Sequence, residues 1–531
     1  MGAELAAHPP YVTTAFSFMT PLTVSAANRN IWNVFVNGKW YRQRYRNARV
    51  CNLDEPATFE FIQKAQKYGI SADGFDEVPF ACPLHTDLDF VYTLNLDKKV
   101  VTVSTWEALP GGALTISVLQ LDLKDVREPK DLDLENFRRN GAQPLSKYTE
   151  KTAHLQMAVG ADTDLRIEIE PPTSMNELQF GIFVDFVFQW KFFFDDRLAW
   201  APPSPLFDTL AIAILRLAAW DFEVSPKVGR ESLALISSPM AYPSWNAPSD
   251  QIYWFHGFLI VQCADLITPS SRLAGVKLAQ DQVQNQCAKG RRVHAILISL
   301  ESVAFAEIDE KSTRCSSAVP LVTNTSTTTC SPGFRILTHV LTSPCWKEDL
   351  ALSEQSFLST LPPELLSMVL DTLEPLDNVS LAQASSVLAR WYYSSIPQMD
   401  KMSILRFYTS FPCCGISSDV KDDCIWCTSC FTWQHVSCIG GELPEFSSSG
   451  STISIPSCNR CGSEEDEKGL VPGALGVTDR RRRGMGCRVR AHNRTYYMKL
   501  DTRTFAQHDY AIYFNGQLSG LVYKLESAGW E

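Results

Sequence analysis

Apolar and polar residues alternate with a period of two through the early part of the chain. Ile31-Trp32-Asn33-Val34-Phe35-Val36 leads into Asn37-Gly38 and then Lys39-Trp40-Tyr41. An Asn-Gly pair between apolar runs predicts a β-hairpin, because both central residues of a type I′ turn need positive φ. Residues 90–103 repeat the design around Asp97-Lys98-Lys99, and Leu165-Arg166-Ile167-Glu168-Ile169-Glu170 alternates in the same way. Together these runs predict an antiparallel, β-rich domain over residues 1–174 with few helices.

The texture then changes to longer apolar runs. Residues 207–220 predict a buried helix behind the breaker Pro202-Pro203-Ser204-Pro205. Residues 252–262 read as a strand, 270–289 as a helix and 293–300 as another strand, so residues 175–345 form an expected α/β region containing a βαβ unit with a parallel pair. Residues 315–332, rich in Ser and Thr, read as a linker. The apolar runs 180–194 and 206–220 are interrupted by Asp185, Lys191 and Arg216 and fall short of the roughly 20 residues that span a bilayer, so no membrane segment is expected.

A helical period follows. Leu365, Val369 and Leu373, with Leu366 and Leu370 beside them, make one apolar stripe, opened by Thr360 as a cap and by Pro362 and Pro363 in the first turn. Pro375 ends that helix, and residues 381–393 predict a second, with Leu381 at its start and Ala384, Leu388 and Trp391 facing inward. Near the end of the chain, residues 485–531 read as strands around a further Asn515-Gly516 hairpin signal. The expected fold class is multidomain α+β.

Composition narrows the functional classes. A chain of 531 residues, 45% hydrophobic and 20% charged, exceeds what one core usually holds, so several domains are expected. Its net charge of -11 argues against general nucleic-acid binding, which needs concentrated Lys and Arg, and favours a protein partner. The first residues lack the basic start of a signal peptide, and Ala6 stands where a myristoylation signal has Ser or Thr. Of the 16 cysteines, eight fall between Cys413 and Cys461. That clustering points to metal in a reducing compartment and not to disulfides. Arg480-Arg481-Arg482-Arg483 is a candidate nuclear import signal, so the nucleus, the cytoplasm or both are expected.

Within the cluster, Cys427 and Cys430, His435 and Cys438, and Cys458 and Cys461 are three ligand pairs, each with two residues between its members. This ordered spacing suits tetrahedral zinc. No phosphate-binding Gly-rich loop, His-Glu-x-x-His or Gly-x-Ser-x-Gly signature occurs, and His256 and His294 read as core residues of apolar strands.

Two resemblances join these observations. Leu361-Pro362-Pro363-Glu364-Leu365-Leu366, with Leu370, Leu373, Asp377, Leu381, Ser385, Val387, Arg390 and Trp391, resembles an F-box across residues 357–396, departing from it at Asn378-Val379. The resemblance implies docking on the Skp adaptor of a cullin-RING ubiquitin ligase through Leu361, Pro362, Leu365, Leu366, Val369, Leu373 and Leu381, while the rest of the chain holds a protein substrate. Residues 411–464, with Trp433 two positions before His435, resemble a plant homeodomain (PHD) finger. That family's cross-brace implies one zinc on Cys427, Cys430, Cys458 and Cys461, and a second on His435, Cys438 and two upstream cysteines. Cys413 and Cys414 are adjacent where the family spaces its first pair; Cys414 fits as the second ligand and the first is Cys413 or Cys424. Many such fingers hold a histone tail in an aromatic cage, of which Trp433 would be one wall, with Cys424 standing where another is usual. In the N-terminal half, the Val91-Tyr92-Thr93-Leu94-Asn95-Leu96-Asp97 hairpin also resembles uncharacterised fungal proteins that carry an F-box, a resemblance that implies no activity. The expectations are a non-enzymatic ligase receptor, a chromatin-associated reader, or an enzyme housed in residues 175–345.

Overall fold

The computed structural model describes residues 30–43, 55–69, 74–84, 90–108, 114–132, 165–167, 169–195, 204–225, 243–286, 292–309, 312–322, 330–343, 361–373, 398–399, 402–407, 409–410, 417–418, 424–427, 433–438, 454–455, 487–491, 494–500 and 509–527, together with 377, 380, 381 and 388. The architecture is mixed α/β with several sheets.

The N-terminal sheet contains β1 (Asn30–Val36), β2 (Lys39–Gln43), β3 (Phe75–Val78), β4 (Phe90–Asn95), β5 (Val100–Ala108) and β6 (Leu114–Asp122), in the order β3-β2-β1-β4-β5-β6, with helix α1 (Glu55–Tyr68) against one face. The expected Asn-Gly hairpin is present: Val36 pairs with Lys39, and Asn37 and Gly38 have φ of 52° and 74°. Its turn is locked from the neighbouring loop, where the Asp97 carboxylate accepts hydrogen bonds from the Asn37 and Gly38 amides at 2.9 and 3.1 Å. The sheet is not wholly antiparallel as expected, since β1 and β4 run parallel with Trp32 opposite Tyr92. The chain between them is long enough to hold α1, and α1 allows the return that a parallel pair requires. The indole and phenol rings stack at 4.7 Å.

The main body is organised around helices α2 (Ser174–Gln189), α3 (Lys191–Asp195) and α4 (Pro205–Ala219). Helix α4 starts where Ser204 caps the Leu206 amide and Pro205 occupies the first turn, and it ends at Trp220 in a left-handed conformation. Around its circumference Leu206, Phe207, Leu210, Ile212, Ile214, Leu215 and Leu217 are all buried. A helix apolar on every side needs cover on every side. Beyond β7 (Glu223–Ser225), that cover is provided on one side by a sheet of β8 (Ile252–Phe255), β9 (Phe258–Gln262), β10 (Val293–Ile298), β11 (Ser302–Ile308), β12 (Thr313–Cys315) and β13 (Val319–Pro320). Helix α5 (Pro269–Gln286) joins the parallel pair β9 and β10, which is the expected βαβ unit. Strict alternation divides this sheet. Phe258, Ile260, Ile296, Ile298, Val303 and Phe305 face the main core, while Leu259, Val261, Ala295, Leu297, Ala304 and Ala306 face α5.

Residues 252–262 were expected as one strand and form a hairpin instead, turning at His256-Gly257 with φ of 50° and 83°. His256 therefore sits in a turn and not within a strand. Leu165–Glu170 was expected as a strand, but its described residues have no regular structure. The alternation survives because Leu165, Ile167 and Ile169 still lie against the main core. Residues 315–332 were expected as a linker, but they include β13 and the buried Leu321, and helix α6 (Pro332–Thr342) begins at their last residue within the same core. Helix α7 (Pro363–Thr372) comes next.

The opposite side of the helical layer is covered by a sheet assembled from distant segments: β14 (Gln398–Met399) and β15 (Met402–Phe407), then, after the cysteine-rich segment with β16 (Thr409–Ser410), β17 (Ser417–Ser418), β18 (Cys424–Cys427), β19 (Trp433–His435) and β20 (Ser454–Ile455), the strands β21 (Cys487–Ala491), β22 (Arg494–Leu500), β23 (Tyr510–Phe514) and β24 (Gln517–Ser527). The order is β14-β15-β21-β22-β24-β23-β7. The C-terminal strands, expected as a segment of their own, thus share a sheet with Glu223–Ser225 and contribute Met498, Ile512, Phe514, Leu521 and Tyr523 to the core.

Buried polar groups fix the layers. Gln179 donates from its amide to the Leu217 and Ala218 carbonyls at 2.9 and 2.8 Å, satisfying carbonyls at the end of α4, and Asn176 reaches Thr342 of α6 at 3.2 Å. Trp190 donates its indole N–H to the Ser519 carbonyl at 2.9 Å, with Gly520 beside it at φ 85°. A Cβ on residue 520 would lie 2.5 Å from the Trp190 ring.

Gly520→Ala therefore imposes both backbone strain and a clash, and should lower stability by roughly 2–4 kcal/mol in denaturant unfolding. Because Phe407 and Cys487 are partners on adjacent strands, the segment between them is an insertion into a hairpin of the body. Replacing residues 408–486 with a short Asn-Gly turn should leave the thermal unfolding of the body within a few degrees of the intact chain; loss of cooperative unfolding would contradict this.

Candidate functional site

Helix α7 begins at Pro362, whose carbonyl accepts from the Leu365 and Leu366 amides at 3.0 and 3.2 Å, with Pro363 and Glu364 in the first turn. Proline loses nothing there because first-turn amides lack intrahelical acceptors, and the acid complements the positive helix end. The helix was expected to carry one stripe; the structure divides it. Leu366 and Leu370 are buried, and Leu370 belongs to the main core, on which Leu381 also packs. Leu365, Met368 and Val369 form a second face, 46%, 63% and 40% exposed. Residues separated by three and four positions lie together on a helix, so the three make one apolar patch. Leu361 and Leu373 are half-buried and Pro362 is exposed at the helix ends. Leu388 is buried as expected, while Thr360, Ala384 and Trp391 lie outside the described residues.

In the cysteine-rich segment, β19, β18 and β20 form a small sheet in that order. β18 and β19 are antiparallel, with Cys424 opposite His435, Ile425 opposite Gln434 and Trp426 opposite Trp433. Strand alternation places Cys424, Trp426, Trp433 and His435 on one face and Ile425 and Cys427 on the other. The two indoles meet edge to face at 5.2 Å. Trp433 is only 9% exposed, so its indole serves as packing and presents no open ring face for a methylated lysine.

One short helical turn beyond β19, the Cys438 Sγ lies 4.0 Å from His435 Nδ1. Tetrahedral zinc with bonds of about 2.3 Å to sulfur and about 2.05 Å to nitrogen places two such atoms about 3.6 Å apart, so the pair fits a shared metal. Cys427 is fully buried on the other face. Among the described residues no three ligand-type side chains stand together. The remaining expected ligands, Cys413, Cys414, Cys430, Cys458 and Cys461, and the Arg480–Arg483 run lie outside those described.

A polar cluster that the sequence did not reveal lies between α4 and the β8–β9 hairpin. The Gln262 amide faces both the Asp208 carboxyl and the Tyr253 hydroxyl, yet its nitrogen forms a well-aligned hydrogen bond with neither. Burial pushes the Asp208 carboxyl up to about 6, against a smaller downward pull from Gln262, and burial also raises Tyr253. At the far end of α4, Arg216 donates to Asn515 at 2.8 Å and lies 3.6 Å from Asp221, which in turn lies 3.3 Å from His256. The tips of two hairpins are thereby tied to one helix. The signal that would have found this group is the spacing of Asp208 and Arg216, the polar interruptions in an otherwise apolar helix.

No family model, curated protein or solved structure matches this chain. No helix among the described residues is long and apolar enough to cross a membrane.

Asp208 carries a pH dependence with a definite sign. Its folded value of about 6 lies above the ordinary 3.8, so ionisation is harder in the folded state. Its contribution is fully present below pH 3.8 and is lost as pH rises through 6. Asp208→Asn should unfold at nearly the same temperature as the parent chain at pH 4 and at a higher temperature at pH 8. Equal shifts at both pH values would contradict the assignment.

Proposed function

We propose that the chain is a substrate receptor of a Skp-cullin-type ubiquitin ligase, docking on the Skp adaptor through α7 and presenting the body and the cysteine-rich finger to a protein target. The observation that supports this is the exposed face of Leu365, Met368 and Val369 on a helix whose other face is already anchored in the main core. A helix held by Leu366 and Leu370 needs no further apolar surface for its own stability. A second apolar face left in water is a cost unless a partner covers it. A helix tied to a large body through Leu370 also suits a receptor, because it joins the adaptor contact to the part that would hold a target.

The finger's part in this reading is zinc-stabilised target recognition. Small metal modules draw much of their folding free energy from the ion, and this one is inserted between paired strands of the body. The reading as a histone-tail reader is the weaker alternative, since Trp433 is committed to packing against Trp426.

Affinity capture tests the proposal. Leu365→Glu with Val369→Glu should weaken adaptor recovery by roughly 30-fold or more, the effect of losing a binding contact of about 2 kcal/mol, while the unfolding temperature stays unchanged because both side chains are exposed. Leu370→Ala should instead cost about 2–4 kcal/mol of stability. Failure of the unaltered chain to recover any Skp adaptor from native extract would sink the receptor reading.

A further inference from the structure

We propose that the sheet β14-β15-β21-β22-β24-β23-β7 docks an acidic segment of a partner protein on the face away from the main core, where strand register gathers Arg406, Arg488, Arg490, Lys499 and Lys524. The core face is fixed by packing. Met498, Leu521 and Tyr523 lie in the main core, with Tyr496 and Leu525 against it. Positions alternate between faces along a strand and direct partners share a face, so the intervening positions belong to the other side. There Arg406 pairs with Arg488, Arg488 with Tyr497, and Tyr497 with Glu526. One step along, Arg490 pairs with Ser403 and Thr495, and one step the other way Lys499 pairs with Lys524. Direct partners stand about 4.5–5.5 Å apart and successive same-face positions about 6.8 Å apart, so these cations share one area four strands wide.

The array runs against the rest of the molecule. The chain carries a net charge of -11, yet residues 480–500 hold eight Arg and Lys and no Asp or Glu. Two of the cross-strand pairs, Arg406 with Arg488 and Lys499 with Lys524, set like charges directly opposite each other, which destabilises a sheet. An anionic partner removes that repulsion. Carboxylates match the guanidinium fork, and an extended peptide repeats its same-face side chains at the interval that separates Arg488 from Arg490. Alternate acids of such a peptide therefore meet both arginines. A single-stranded nucleic acid fits less well, since its bases need aromatic platforms and Tyr497 is the one ring among these paired positions.

Fluorescence anisotropy with the full chain tests the proposal, using a labelled peptide of alternating glutamates, its glutamine analogue and a single-stranded oligonucleotide of similar length. The acidic peptide should bind and the glutamine analogue should not, with affinity falling as salt rises. Arg488→Gln with Arg490→Gln should weaken binding about tenfold without lowering the unfolding temperature. Lys277→Gln, at an exposed position of α5 on the other sheet, should leave binding unchanged. If the paired arginine variant unfolds early, Lys499→Gln with Lys524→Gln repeats the measurement on the neighbouring strands. No binding of the acidic peptide by the parent chain, equal binding of the glutamine analogue, or undiminished binding by a folded paired variant would overturn the proposal. Tighter binding of the oligonucleotide than of the peptide would overturn the choice of a protein partner. Adaptor capture through α7 enters none of these measurements, so this surface stands or falls apart from the receptor reading.

Discussion

The burial demanded by α2 and α4 is the constraint on which the rest of the molecule depends. Ile182, Phe183 and Val184 on α2 and Leu206, Phe207, Ile212, Ile214 and Leu215 on α4 are all buried, and between them they point in every direction around their helix axes. Each fully buried side chain of this size is worth roughly 1.5–3 kcal/mol, so a single covering sheet would leave much of that surface in water. The body therefore has sheets on both sides of its helices. The second sheet is recruited from residues 223–225, 398–407 and 487–527, because no single stretch of chain provides enough strands.

An apolar slab between two sheets specifies burial but not position, since dispersion and hydrophobic forces have little direction. Position comes from the few polar side chains within it. Gln179 holds the last carbonyls of α4, Asn176 reaches α6, Trp190 reaches the β23–β24 hairpin, and Trp245 donates to the Thr209 carbonyl at 2.7 Å. Each of these closes a buried hydrogen bond whose loss would leave an unsatisfied group costing roughly 1–3 kcal/mol. Sliding a layer would break several at once.

This arrangement bears on the proposed function. Helix α7 contributes Leu370 to the same core, and the cysteine-rich segment leaves and re-enters the body on the neighbouring strands β15 and β21. Both are thus attached to the same body.

Much was legible in the sequence where the determinant was local. The Asn37-Gly38 and Asn515-Gly516 turns, a helix behind the Pro202–Pro205 breaker and the βαβ unit followed from turn chemistry, helix breaking and period, all of which act within a few residues. His256-Gly257 was missed because histidine is a less distinctive positive-φ residue than asparagine. What lay beyond the sequence was every choice of partner. Periodicity marks Leu365 and Leu370 as apolar alike, and only tertiary packing decided that Leu370 enters the core while Leu365 stays exposed. Alternation marks β1 and β4 as strands without fixing their parallel pairing, and it leaves Leu165–Glu170 facing the core without a strand to join. The sequence by itself determined which segments could be helix or turn, because those depend on near neighbours along the chain. The tertiary structure alone decided which apolar faces meet and which remain open, because that depends on surfaces hundreds of residues apart competing for the same cover.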